Sequence, residues 1–159
     1  MKRISIILAA LVFSMNTFAI ERVGRLGVGF SNTITDGIPS ISIKVQRSTG
    51  FSYGGVFGIN TADDGGWHGG IRLYRNIFDE PHLTFYAVGA AVIVNEKNSS
   101  GSSDSGFQGD VGLGTEFSLQ GIDSIGFSFE FGVRFRKVDE LEVTTMGENF
   151  LSAGIHFYL

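Results

Sequence analysis

Residues 106–119 read Gly-Phe-Gln-Gly-Asp-Val-Gly-Leu-Gly-Thr-Glu-Phe-Ser-Leu, and residues 125–137 read Ile-Gly-Phe-Ser-Phe-Glu-Phe-Gly-Val-Arg-Phe-Arg-Lys. In the second run Ile125, Phe127, Phe129, Phe131, Val133 and Phe135 share one parity, and Gly126, Ser128, Glu130, Gly132, Arg134 and Arg136 share the other. The first run sets Phe107, Val111, Leu113, Phe117 and Leu119 against Gln108, Asp110, Gly112, Gly114, Glu116 and Ser118. Side chains alternate faces along a strand, so each run has one apolar face and one small or charged face. A helix would put Phe127 beside Glu130 and scatter the pattern. The polar link over residues 120–124 makes the pair an antiparallel hairpin.

Which face is inside follows from side-chain volume. An eight-stranded barrel has an interior just wide enough for side chains. It cannot take a row of Phe and Ile from every strand, but it can hold glycine and serine with a few long charged residues between them. The phenylalanine face is therefore expected to face lipid.

Working outward, the same alternation gives eight strands. Strand one covers about 23–31, with Leu26, Val28 and Phe30 outside and Arg25, Gly27 and Gly29 inside. Strand two covers 40–47, with Ile41, Ile43 and Val45 outside and Ser42, Lys44 and Gln46 inside. Strand three covers 51–60, with Tyr53, Phe57 and Ile59 outside. Strand four covers 67–77, with Trp67, Ile71 and Leu73 outside and His68, Gly70, Arg72 and Tyr74 inside. Strand five, 83–94, is apolar on both parities; glycine placement puts Gly89 inside and Tyr86, Val88, Ala90 and Val92 outside. The hairpin supplies strands six and seven, and residues 149–159 supply strand eight, with Leu151, Ala153, Ile155, Phe157 and Leu159 outside. In these registers eleven strand glycines point inward (Gly27, Gly29, Gly54, Gly58, Gly70, Gly89, Gly112, Gly114, Gly126, Gly132 and Gly154), and only Gly55, Gly69 and Gly109 point outward. The connections alternate: 32–39, 61–66, 95–105 and 137–148 are long and polar, though 141–145 can extend the flanking strands. Those over 48–50, 78–82 and 120–124 are short. Long loops on one side and short turns on the other are the pattern of outer-membrane barrels. The strands have about the 9–11 residues that cross a bilayer when tilted. The fold class read here is all-β, an eight-stranded antiparallel up-and-down transmembrane β-barrel.

The chain has 159 residues with 23 Gly, 15 Phe, two Pro and no Cys, which fits one domain without a disulfide framework. Residues 1–19 have the form of a secretory signal: Lys2 and Arg3, an apolar run over 4–13, and Thr17-Phe18-Ala19 as cleavage site. The run is shorter than the ~20 residues of a membrane-spanning helix. Domain boundaries are thus expected at 1–19 for the signal and 20–159 for the barrel. Without Lys2 and Arg3 the chain keeps 10 basic and 16 acidic residues, a formal charge of −6, which argues against nucleic acid as a partner.

With the registers in hand, the C-terminal residues Ser152-Ala153-Gly154-Ile155-His156-Phe157-Tyr158-Leu159 take on meaning. The chain resembles the small outer-membrane barrels of the OmpA/OmpX/OmpW kind over its whole length after residue 19. Ser152, Gly154, Phe157 and Leu159 resemble that family's assembly signal, departing from it where Leu159 replaces the usual terminal Phe. The resemblance implies insertion by the barrel assembly machinery of a Gram-negative-type cell envelope. It also implies escort by periplasmic chaperones, contact with outer-membrane lipids and lipopolysaccharide, and a monomer. It implies no one activity, since this fold hosts adhesins, channels, enzymes and structural proteins.

The candidate functional residues are charges assigned to the lumen: Arg25, Lys44, Arg72, Arg134 and Arg136 with Asp110, Glu116 and Glu130. Unpaired charge in a narrow interior is very costly, so an internal ion-pair network closing the barrel is expected, with Glu130 meeting Arg72 or Arg134. The same residues could instead line a gated, porin-like ion path. A lipid A-modifying barrel enzyme needs a base and nucleophile together at the outer-leaflet edge; His68 and His82 show no companion Ser and carboxylate, and His156 falls near the periplasmic end. A soluble lipocalin-like barrel would require the faces reversed. No catalytic residue, cofactor or metal site is read: Asp63, Asp64 and Asp104 lack calcium-loop spacing, and Gly112-x-Gly114 precedes no helix. Trp67, Tyr53 and Tyr86 are candidates for an interfacial aromatic belt, and Tyr158 points inward.

Overall fold

A computed structural model describes residues 22–35, 38–62, 65–97, 102–147 and 151–159. The signal-like residues 1–19, with the boundary after Ala19, and Asp63 and Asp64 lie outside the described residues. The chain forms β1 (Leu26–Thr35), β2 (Ile38–Ser48), β3 (Phe51–Asn60), β4 (Gly66–Glu80), β5 (Leu83–Lys97), β6 (Ser103–Phe117), β7 (Ile125–Lys137), β8 (Leu141–Thr145) and β9 (Ser152–Tyr158). Each strand from β1 to β7 pairs antiparallel with the next, β7 pairs with β9, and β9 returns to β1. The sheet closes into an eight-stranded up-and-down barrel, the arrangement that lets a strand protein bond its backbone internally without water.

β8 and β9 share the eighth position. β8 lies against Val133–Lys137 of β7, and β9 against Ile125–Glu130. Between them the Met146 N–H donates to the Gly132 carbonyl at 3.0 Å, and Gly147 turns the chain with φ +77°. That positive φ is the conformation glycine adopts most readily. The detour drives the Met146 side chain into the barrel, where it is fully buried. Its sulphur fills the space that a Cβ on Gly112 or Gly132, a cross-strand pair, would need.

The alternation sets the faces. Phe30, Ile71, Val111 and Phe131 are 56, 61, 63 and 46% exposed on the outer surface, while Ser42, Lys44, Arg72, Glu116 and Glu130 are each 5% or less. Outside, Phe117 stacks with Phe127 and Phe129, and Phe78 with Phe85. Trp67 and Tyr53 also stand on the outer surface.

Strand five departs from the expected register. Tyr86, Val88 and Val92 are 0, 4 and 1% exposed and face inward, so Gly89 faces outward and Tyr86 is no belt residue. The cause is a β-bulge. Glu80 pairs with Leu83 and Phe78 with Phe85, but Asn76 pairs with Tyr86, leaving Ile77 as the extra residue. One added residue reverses the parity above it, so Leu73 faces Gly89 rather than Ala90. Most inward glycines are packed so tightly that a Cβ on Gly29, Gly54, Gly70 or Gly132 would meet backbone within 2.4 Å. At outward Gly55, Gly69, Gly89 and Gly109 the nearest atom is 3.5 Å or farther.

Strands also reach further than expected into the long connections. Residues 32–35 belong to β1, 95–97 to β5 and 103–105 to β6, and β2 begins at Ile38. β1 begins at Leu26 rather than Val23, and β9 at Ser152 rather than Asn149. The turn expected over 78–82 tightens to Pro81–His82.

Substitution at the two kinds of glycine should separate the faces. Gly89→Leu is expected to stay within about 0.5 kcal/mol of the parent, and Gly132→Leu to cost about 1–3 kcal/mol by overpacking. Urea unfolding in lipid vesicles reads both; a large cost at Gly89 would restore the opposite register.

Candidate functional site in the barrel lumen

The lumen holds three tiers of charge. In the lowest, Glu116 on β6 is the common acceptor. Arg22 Nη1 donates to its Oε1 at 2.5 Å, Tyr158 Oη to the same oxygen at 2.7 Å, and Lys44 Nζ to Oε2 at 2.9 Å. Arg22 also donates to Ser118 Oγ at 2.8 Å and lies over the Tyr158 ring, its guanidinium carbon 5.0 Å from the centroid. Lys44 Nζ sits 4.6 Å from the centroid of Tyr74 and 4.8 Å from that of Tyr86. Aromatic faces attract a cation most strongly where water is excluded, and all these groups are buried.

The middle tier centres on Glu130 of β7. Arg72 from β4 donates to Oε2, and Tyr86 from β5 donates to Oε1 at 2.9 Å. Tyr74 and Tyr86 meet edge to face, centroids 5.4 Å apart, and Arg72 lies over Tyr74 at 5.2 Å. Both carboxylate oxygens of Glu130 are thereby satisfied, the condition under which a buried ion pair is tolerated.

In the upper tier Arg134 Nε is 3.5 Å from Asp110 Oδ1. The Gln108 amide donates to Asp110 at 3.1 Å and to the Ile34 carbonyl at 3.1 Å. Ile34, Val56, Val92 and Val94 form a small apolar cluster with Ala90 and Val138 packed against it. Nearer the loop end Arg136 pairs with Glu96. Two serine–histidine contacts complete the interior: Ser40 Oγ and His68 Nε2 are hydrogen-bonded at 2.7 Å, and Ser42 Oγ and His156 Nε2 at 2.9 Å.

Of the eight charges assigned to the lumen from sequence, the fold brings Lys44 to Glu116, Arg72 to Glu130 and Arg134 to Asp110. Glu130 meets Arg72, and Arg134 turns to Asp110 instead. Arg136 reaches Glu96, and Arg25 donates to the Tyr158 carbonyl at 3.1 Å. Of the C-terminal signal residues, Ser152 is buried with its hydroxyl 3.4 Å from the Glu130 carbonyl, and Gly154 has Ser128 Oγ 2.7 Å from where a Cβ would stand. Phe157 and Leu159 face outward, 44 and 77% exposed.

Sequence reasoning missed Arg22, Tyr86, Glu96 and Met146 as lumen groups, and it put Gln108 on the inward face without giving it a partner. Arg22 lies ahead of the first strand, where alternation gives no face. Glu96 shares the parity of Tyr86, which the expected register put outside, and fell in the connection expected over 95–105. The serines beside His68 and His156 both come from β2, 28 and 114 residues away, a proximity no local pattern contains.

No family model and no curated protein sequence matches the chain. Among solved structures, the N-terminal β-barrel domain of OprF from Pseudomonas aeruginosa superposes with a TM-score of 0.63 at 13% identity, covering 85% of this chain and 96% of that one. The fold is that of a small eight-stranded outer-membrane barrel. With identity so low, the likeness is one of strand number, closure and topology.

The pairing of Glu130 with Arg72 has a measurable signature. Glu130→Ala alone is expected to cost about 3–5 kcal/mol, because Arg72 stays buried without its partner. Adding Arg72→Met should recover most of that loss. A double-mutant cycle on urea unfolding tests it, and additive costs would mean the two side chains act independently.

Proposed function

We propose that this protein resides in the bacterial outer membrane as a closed barrel, with a structural or surface-interaction role carried by its loop end. The observation behind this reading is the middle tier: Arg72, Glu130, Tyr74 and Tyr86 come from β4, β5 and β7 and meet inside the barrel. The tiers above and below add further blocks. Among the described residues five cations (Arg22, Lys44, Arg72, Arg134 and Arg136) are paired with four carboxylates (Glu96, Asp110, Glu116 and Glu130), so these charges nearly cancel. Wide aqueous channels come with about sixteen strands, whereas side chains fill an eight-stranded lumen.

In this reading residues 1–19 direct export and are removed after Ala19. Ser152, Gly154, Phe157 and Leu159 present the last strand to the barrel assembly machinery. The outward Phe, Ile and Val surface meets lipid and lipopolysaccharide as a monomer. No reaction is assigned. The Ser40–His68 and Ser42–His156 pairs are the nearest thing to a nucleophile and base, but both histidines are 3% exposed or less, walled off from any lipid substrate.

Purified protein in planar bilayers tests closure. Wild type should give small or rare openings. Glu130→Ala, leaving Arg72 uncompensated, should raise an anion-selective leak in barrels that keep folded electrophoretic mobility. Large, steady conductance from wild-type monomers would refute the closed-barrel reading. Export is tested separately: the mature N-terminus should begin at Ile20, and retention of residues 1–19 on the membrane-inserted protein would overturn the signal assignment.

A further inference from the structure

Among the described residues β8 pairs with β7 alone, and β1 above Ser31 has no partner on its β9 side. Among the described residues, then, β8 presents a strand edge at the loop end with no strand paired to it. Which backbone groups are unpaired follows from register. Met146 N–H bonds to Gly132, and Thr145 stands opposite Val133. In an antiparallel ladder bonded pairs alternate, so Thr144 and Glu142 turn their N–H and C=O toward β7. Those of Leu141, Val143 and Thr145 point to the free edge. All five residues of β8 are exposed, Leu141 at 68% and Val143 at 57%. Such an edge is a ready template for another strand.

Charge selects the strand. Beside β8 lies a cavity of about 410 Å³ lined by Glu96, Asp139, Glu140 and Glu142, with Arg136 as the one cation among the described residues. Four carboxylates and one guanidinium give −4 + 1 = −3. Arg136 is engaged by Glu96, so Asp139, Glu140 and Glu142 carry the excess. A second copy of this chain would bring the same carboxylates to the edge, and like charges opposed across strands are destabilising. A strand with Lys or Arg on one parity and β-branched residues on the other suits both features.

We propose that the free edge of β8 binds an extended basic segment of another polypeptide by strand addition, its cations lying in the carboxylate cavity. This rests on the outer-membrane reading only for which side of the membrane the partner comes from. Binding in micelles does not depend on whether the lumen conducts, so the two ideas fail separately.

The test uses the purified barrel in nonionic detergent and a fluorescent peptide, Lys-Val-Lys-Thr-Lys-Val-Lys, followed by polarisation. Saturable binding is expected. Three changes should each weaken it about tenfold or more, since each removes ladder bonds or charge attraction: methylation of the peptide's alternate amide nitrogens, replacement of its Lys by Glu, and Val143→Pro in the barrel. The Val143 N–H points away from β7, so proline there removes only a far-edge donor. Val143→Thr, which keeps that donor, should bind as wild type. Glu140→Gln with Glu142→Gln should weaken binding and flatten its salt dependence. If Val143→Pro fails to fold, the methylated peptide decides. Absence of saturable binding, or equal binding by methylated and parent peptides, would overturn strand addition. A wild-type dimer abolished by Val143→Pro would overturn the partner in favour of a second copy.

Discussion

A carboxylate buried inside an eight-stranded barrel is costly unless cations and hydrogen-bond donors meet it, and this constraint shapes most of the interior. Glu130 is held by Arg72 and by the Tyr86 hydroxyl, so neither oxygen is left over. Glu116 is held by Arg22, Lys44 and Tyr158. Each acceptor draws donors from strands far apart in sequence, and each set of donors requires one register between those strands. The ion pairs therefore act on the sheet as a locking device: slipping β4 against β5 by one residue would turn either Arg72 or Tyr86 to the outer face. Their net contribution to stability is a weaker argument, because desolvation offsets much of the attraction. Specificity of register is the stronger one.

Glycine is the other half of the same constraint. The long side chains of Arg72, Tyr74, Tyr86 and Glu130 fit only because the residues between them on the lumen face are small. Gly114 leaves the space that the Tyr86 ring and Glu130 occupy, and Gly126 does so for Glu116 and Tyr158. Gly112 and Gly132 together make room for Met146. In a globular core volume is matched by interdigitating large and small apolar groups. Here the match is between glycine and charged or phenolic side chains, and the apolar residues are left for the outside.

This division is why so much of the fold was legible. Along β1 as far as Ser31 and along β2, β3, β6 and β7 one parity is apolar and the other, Val56 apart, small or polar, and the structure places the faces as alternation implies; past Ser31 an irregularity in β1 turns Ile34 inward. Strand five was illegible for a physical reason. Both of its parities are apolar, so its face had to be inferred, and the glycine argument chose wrongly because Gly89 sits where the lumen is filled from Tyr86 and Val88 instead. The cue that would have corrected it, the extra residue at Ile77, is a bulge that no composition rule marks. The candidate site was legible as a set of charges and not as a set of pairs. Which carboxylate meets which cation depends on shear and tilt, and Arg134 duly meets Asp110 where Glu130 was an equal candidate.

The two ends of the barrel solve the edge problem differently. At the short-turn end every strand is bonded on both sides, down to the Leu159 N–H on the Leu26 carbonyl at 2.9 Å. At the loop end the eighth position is split by the detour through Met146 and Gly147, and among the described residues β8 continues as a ribbon paired with β7 alone. The split has a function in packing, since it delivers Met146 into the lumen above the Arg72–Glu130 tier. It also has a consequence for the surface, because among the described residues the strand that resumes beyond it pairs with β7 alone and sets Leu141 and Val143 on the outer face beside Phe135. Asp139, Glu140 and Glu142 beside it set like charge against pairing with a second copy.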